Sequence, residues 1–128
     1  MLQHHVRPEG LPPVNGYSHA VVFSGRTVAV SGQVPLDEEG SVVGEGDPEA
    51  QIRQVFENLR RALAAAGADL GDIVKLTVYL TDLQDLDCFR RVRDQYIPTD
   101  RPPACSLVQV VGLVNPAFRV EVDALASY

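Results

Sequence analysis

Glu121 sits between Val120 and Val122, in a mainly apolar run. A carboxylate held among apolar residues is biased toward its neutral form, which suits general acid or base chemistry near neutral pH. The same residue can also be read as the solvent face of an alternating strand. Phe118, Val120, Val122, Ala124 and Ala126 point one way, and Arg119, Glu121, Asp123 and Leu125 the other. Other polar groups stand at the edges of apolar runs: Tyr17 and Ser18 after Gly16, Ser31 and Gly32 before Gln33, and Cys105 and Ser106 after Pro103-Ala104. A nucleophilic Cys105 would need a base, a cation or a helix start to lower its thiol pKa. A strand position supplies no helix start, so Cys105 reads as a small lining residue. His4 and His5 are adjacent with no third ligand in view, and His19 has no Ser or Asp at an informative spacing. There is no G-x-G-x-x-G, P-loop, C-x-x-C or H-E-x-x-H, and no metal is expected at His4 and His5.

These residues must be held by strands and helices that the spacing predicts. Apolar runs at 20–23 and 27–30, separated by Ser24-Gly25, read as a hairpin, with a further edge strand near 3–6. Pro35 ends the second run, and the glycine-rich, acidic stretch 36–46 reads as a surface loop. Asp47, Pro48 and Glu49 form a helix start. Ile52, Val55, Phe56, Leu59, Leu63 and Ala66 then recur at three- and four-residue steps as one apolar stripe, and Gly67 stops it. Residues 73–80 alternate as a strand. A second helix is expected over 83–97, capped by Asp82 or Asp85 and closed by Pro98. Arg93 shares the face of Leu86, Phe89 and Ile97. Either its stem packs while its head snorkels to water, or its charge reaches a cleft or a neighbouring subunit. Strands at 104–111 and 118–126 complete an α/β order of β-β-α-β-α-β-β. Two helices can leave one sheet face bare, and that face would carry Lys75, Thr77, Tyr79 and Glu121.

At 128 residues, 45% of them hydrophobic, the chain fits a single domain over 1–128 with a core of its own. A net charge of -6 with scattered basic residues argues against nucleic acid or an anionic membrane as partner. Two cysteines are too few for a disulfide scaffold, no apolar run reaches the roughly 20 residues of a membrane helix, and the polar opening does not read as a leader. A cytoplasmic location is the expectation.

Six segments, in order, carry a resemblance that spans nearly the whole chain: G-Y-S-H-A-V (16–21), V-S-G-Q-V-P-L-D (30–37), A-Q-I-R-Q-V-F-E-N-L (50–59), A-A-A-G-A-D-L-G-D-I-V-K-L-T-V-Y-L-T-D-L (64–83), R-P-P-A-C-S-L-V-Q-V (101–110) and V-E-V-D-A-L-A (120–126). The set resembles the reactive intermediate deaminase family, also called RidA or YjgF. The resemblance implies a chorismate-mutase-like fold, a homotrimer and small-molecule clefts between subunits. It also implies cofactor-free hydrolysis of reactive enamines and imines to keto acids and ammonia. Tyr17 matches the family's cleft tyrosine, with Gly16 where a proline is usual. Ser31 and Gly32 match the S-G-Q segment lining the cleft, and Glu121 matches the glutamate that positions water. Cys105 departs from the pattern. The family's deaminases carry an arginine there to clamp the substrate carboxylate, a task for its planar, bidentate fork. Leu107 replaces a cysteine common in the family, and Arg90 falls where the family has asparagine. Arg101 lies about 13 Å along the strand from position 105, so Arg90 and Arg93 are the candidates to compensate. The implied function is an imine or enamine hydrolase with altered substrate choice. The alternative is a non-catalytic small-molecule binder or sensor on the same fold. A ribonuclease role, assigned to some relatives, fits poorly with the acidic charge.

Overall fold

A computed structural model describes residues 2–128. The longest helix, α1 (Pro48–Ala65), starts where its side chains can satisfy the first free amides: the Asp47 carboxylate accepts from the Ala50 amide, and Pro48 occupies the first turn. It ends at Gly67, whose φ of +80° is in the left-handed region that glycine enters without a Cβ penalty. The apolar stripe of α1 buries Ile52, Val55, Phe56, Leu59 and Leu63 completely or nearly so. The second helix begins as a short 3-10 turn, Leu83–Asp85, before α2 (Leu86–Tyr96). Asp82 caps the turn through the Gln84 amide. Asp85 instead accepts a two-pronged bond from Arg119, at 2.8 and 3.0 Å, which ties the start of α2 to the last strand.

Strands β3 (Thr27–Gln33), β4 (Ile73–Leu80), β5 (Ala104–Gln109) and β6 (Val120–Ser127) form one sheet in the order β3-β6-β4-β5. Only β4 and β5 are parallel, as a crossover through α2 requires. Leu76, Val78, Leu80, Val120, Val122 and Ala124 join Phe56, Phe89 and Val92 in one core cluster, so both helices cover the same sheet face. Phe56 anchors it, stacked on Tyr96 with ring centroids 5.1 Å apart. Burial of such a side chain contributes on the order of 1.5–3 kcal/mol. The opposite face, with Lys75, Thr77, Tyr79, Glu121 and Asp123, has no helix over it among the described residues, in line with the two-helix argument.

The expected 20–23/27–30 hairpin does not form. Strand β2 (Ala20–Phe23) pairs instead with β1 (Leu2–His5) as a separate two-stranded sheet, so the opening segment near His4 and His5 is a paired strand. The cause lies at the turn. Gly25, at φ +107°, sends the chain toward the C-terminal strand, where Arg26 and Tyr128 exchange backbone hydrogen bonds at 3.1 Å. The long alternating β6 then gives β3 a full ladder and places Val28 and Val30 toward the core. The last two strands are also shorter or shifted relative to expectation, ending at Gln109 and starting at Val120.

Candidate functional site

The predicted site residues fall into two groups. The first lines a cavity of about 400 Å³ between α2, β5 and the segment before β2. Tyr17, Cys105 and Arg90 are there, joined by Arg93, Asn15 and Leu107. Tyr17 is brought to β5 by its neighbour. Ser18 donates its amide to Pro103 O (2.8 Å) and its hydroxyl to Pro102 O (2.6 Å), and it bridges to Ala104. Arg93 does not snorkel: only 5% of it is exposed. Its Nη2 donates to Asn15 Oδ1 at 3.1 Å, its Nη1 to Asn15 O at 3.3 Å and its Nε to Asp94 at 3.0 Å. The guanidinium fills the space a side chain at position 16 would need. A Cβ on Gly16 would meet Arg93 Nη2 at 2.1 Å, and the φ of +69° there also favours glycine. The absence of the usual proline before Tyr17 thus has a local cause. Cys105 is half-buried, and its burial pushes the thiol up, with Arg93 and Lys75 opposing more weakly. A thiol in that state is a poor nucleophile.

The second group is on β3 and β6. The Glu121 carboxylate lies directly over Gly32: a Cβ there would stand 2.1 Å from Oε2. Only glycine admits the carboxylate so close to the backbone, and an irregularity in the β3–β6 register between Val30 and Gln33 shapes the strand at this point. Ser31 is exposed beside it. Gly32 also lines a second cavity of about 340 Å³ with Gln33, Leu36, Asp37, Asn58 and Arg61. Across the sheet Glu121 pairs with Tyr79, whose hydroxyl donates to Asp123 Oδ2 at 3.3 Å. The Asp123 charge raises the phenol's pKa most, with burial, that hydrogen bond and the Glu121 charge adding to it.

These groups do not meet within one chain. Cys105 pairs with Leu76, a core residue, so it is on the helix side; Glu121 pairs with Tyr79 on the bare side. Strand β4 separates β5 from β6, which adds about 10 Å of lateral distance. Sequence reasoning passed over Asn15, Leu83 and Leu86 as lining residues. The Asn15-Gly16 pair is a turn signal, but nothing in the sequence shows that its amide would hold Arg93.

Residues 8–128 match the family model described as Endoribonuclease L-PSP. Protein DfrA of Myxococcus xanthus is 41% identical over 120 residues, covering 93% of this chain and 88% of that one. The 3-aminoacrylate deaminase RutC of Acinetobacter baylyi is 37% identical over 121 residues, covering 94% of each. Among solved structures, the Rid-family protein YyfB of Yersinia pestis superposes with a TM-score of 0.90 at 32% identity, covering 99% of this chain and 98% of that one. A match of this extent, on the fold and segments described above, places the chain in the Endoribonuclease L-PSP family, which is the reactive intermediate deaminase (RidA/YjgF) family.

Proposed function

We propose that this protein is a cofactor-free imine or enamine hydrolase of altered substrate choice, working in clefts built between copies of a homotrimer. The single observation that carries the reading is the seating of Glu121 against Gly32 on the helix-free face. A carboxylate held there can take a proton from water as the water attacks an imine carbon and return it to the nitrogen; the carbinolamine then loses its hydroxyl proton as the C–N bond breaks, leaving the carbonyl and ammonia. A relative 37% identical is named a 3-aminoacrylate deaminase, which is chemistry of this class. Tyr17, Arg90 and Cys105 shape one wall of the cleft, and Ser31 and Gly32 of a neighbouring copy shape the other. The separation of the two groups across the sheet supports a cleft of two copies. The bare face, with Val108 and Leu125 exposed among polar residues, supports their packing. Ligand and enzyme meet in the cytoplasm on this reading, with no nucleic acid or membrane involved; no helix among the described residues is long and apolar enough to cross a membrane.

A second reading, a non-catalytic binder or sensor, is favoured by Cys105, which cannot clamp a carboxylate from β5. Turnover across a series of 2-imino acids, from small to bulky, separates the two. Glu121→Gln keeps the fold but loses about 10²–10⁴-fold of the rate, because an amide cannot accept the proton. Unchanged turnover in a folded Glu121→Gln protein removes Glu121 from the mechanism, and no turnover in the wild type on any imine favours the binder.

A further inference from the structure

The cavity beside Cys105 has a one-sided chemistry. Among its lining residues there is no Asp or Glu, in a chain of net charge -6. Its polar wall consists of donors: the Arg90 and Arg93 guanidinia, the Asn15 amide, the Tyr17 hydroxyl and the Cys105 thiol. Arg93 is fixed, because Asn15 and Asp94 take up most of its N–H groups, yet Nη1 has only one acceptor and keeps a second hydrogen for a ligand. Asp94 offsets part of its charge from the solvent side, with 48% of that side chain exposed. Arg90, three residues earlier on the same face of α2, has no carboxylate paired with it among the described residues and is the uncompensated cation of the wall. The remainder of the lining, Leu83, Leu86 and Leu107, is apolar.

We propose that the ligand's carboxylate is held from helix α2, by Arg90 together with the pre-oriented Nη1 of Arg93, and not from strand β5. The short Cys105 side chain then leaves its part of the floor open, beside Leu107, for an apolar body bulkier than that of the smallest 2-imino acids. The inference deepens the hydrolase reading and rests on it for the imine. It assigns the specificity: 2-imino acids with long, branched or aromatic side chains. Fixed donors favour this, since a guanidinium already held in place loses little freedom on binding.

The hydrolysis products, 2-oxo acids, serve as probes that need no turnover. Calorimetric titration of the full-length protein compares pyruvate, 4-methyl-2-oxopentanoate, phenylpyruvate, the methyl ester of phenylpyruvate and inorganic phosphate. The two bulky acids bind at least about tenfold more tightly than pyruvate, and the ester loses about 10- to 100-fold relative to its acid, the scale of a charge-assisted bond. Arg90→Gln, a surface change, costs the acids a similar factor and leaves the ester unaffected. Arg93→Lys weakens the acids as well; if that buried change unfolds the chain, Cys105→Arg is the second variant and shifts preference from phenylpyruvate toward pyruvate. Equal affinity for acid and ester, equal affinity for phosphate and the acids, or acids indifferent to Arg90→Gln would overturn the proposal. Acid-selective, Arg90-dependent binding by both wild type and Glu121→Gln, with no turnover of any imine, upholds the carboxylate site and sinks the hydrolase reading. Turnover that ignores Arg90→Gln does the reverse.

Discussion

The two faces of the four-stranded sheet are built from the same strands and do opposite things. On the helix side, Val78, Val122, Phe56 and Phe89 are completely sealed from solvent. On the other side, the alternate residues of the same strands leave Glu121, Asp123, Tyr79, Thr77 and Lys75 half-buried, with no helix of the described residues over them. One face packs the core, and the other carries Glu121, the proposed base, with no helix among the described residues to cover it. A residue's parity along the strand therefore decides whether changing it damages the fold or the function. Cys105 is the informative exception, because it lies on the helix side yet borders a cavity, at the edge where α2 does not close over β5.

The sharpest way to break this comparison is a pair of substitutions of opposite parity. Phe56→Ala empties the centre of the helix-side core and costs about 3–5 kcal/mol of stability, read by denaturant unfolding. Val108→Asp, on the bare face, keeps the circular dichroism of the fold and instead dissolves the assembly, read by light scattering. If Val108→Asp unfolds the chain while leaving residual protein trimeric, parity does not separate fold from assembly.

Much of the helix side was legible from the residues alone. The stripe from Ile52 to Leu63, the Asp47 cap and the alternation of residues 73–80 are local patterns, and local patterns survive folding. The hairpin at Ser24-Gly25 was misread because a turn signal says that the chain bends, not which strand waits on the other side. Here it was β6, a hundred residues away. For the candidate site, sequence could name Glu121, Tyr17, Ser31, Gly32, Cys105 and Arg90 through their segments, and the alternation placed Glu121 on the polar face. It could not show that Gly32 is held free of a side chain by the Glu121 carboxylate, or that Gly16 makes room for Arg93. Both are contacts between residues far apart in the chain, with no periodicity to reveal them.

A second prediction concerns the exception. Small 2-imino acids such as those from serine or threonine dehydratase are hydrolysed roughly 10- to 1,000-fold less efficiently than by a relative with arginine at this position, because with the carboxylate held from α2 and not from β5 a small side chain leaves the floor beside Cys105 unfilled and the imine carbon out of place. Cys105→Arg recovers part of that loss in a coupled dehydratase assay. A wild type that already matches such a relative on the small substrates contradicts this account of position 105.

The smallest expected effect is on thiol reactivity. Burial raises the Cys105 pKa, so its thiolate is scarcer at pH 7 than that of an unperturbed cysteine, and its reactivity rises only as pH climbs past the usual thiol range. Cys88, on α2, is pushed up by burial too. Iodoacetamide labelling followed by mass spectrometry shows both alkylated more slowly than a free cysteine at pH 7, by about tenfold or less. Rapid labelling of Cys105 at pH 7 would revive it as a nucleophile.

The central claim, that the two halves of the site come from different copies, is tested most directly by mixing two inactive variants. Glu121→Gln lacks the base, and Tyr17→Ala damages the cavity wall. Each alone assembles and loses most turnover. Unfolded together and refolded at equal amounts, they assemble at random: about three quarters of the trimers are mixed, one cleft in three of each mixed trimer combines an intact half from each variant, and about a quarter of all clefts are restored. The account predicts activity returning to about a quarter of the wild-type level. No recovery in trimers shown by mass spectrometry to be mixed would mean that Glu121 and Tyr17 serve one site from the same chain, and the claim would fall.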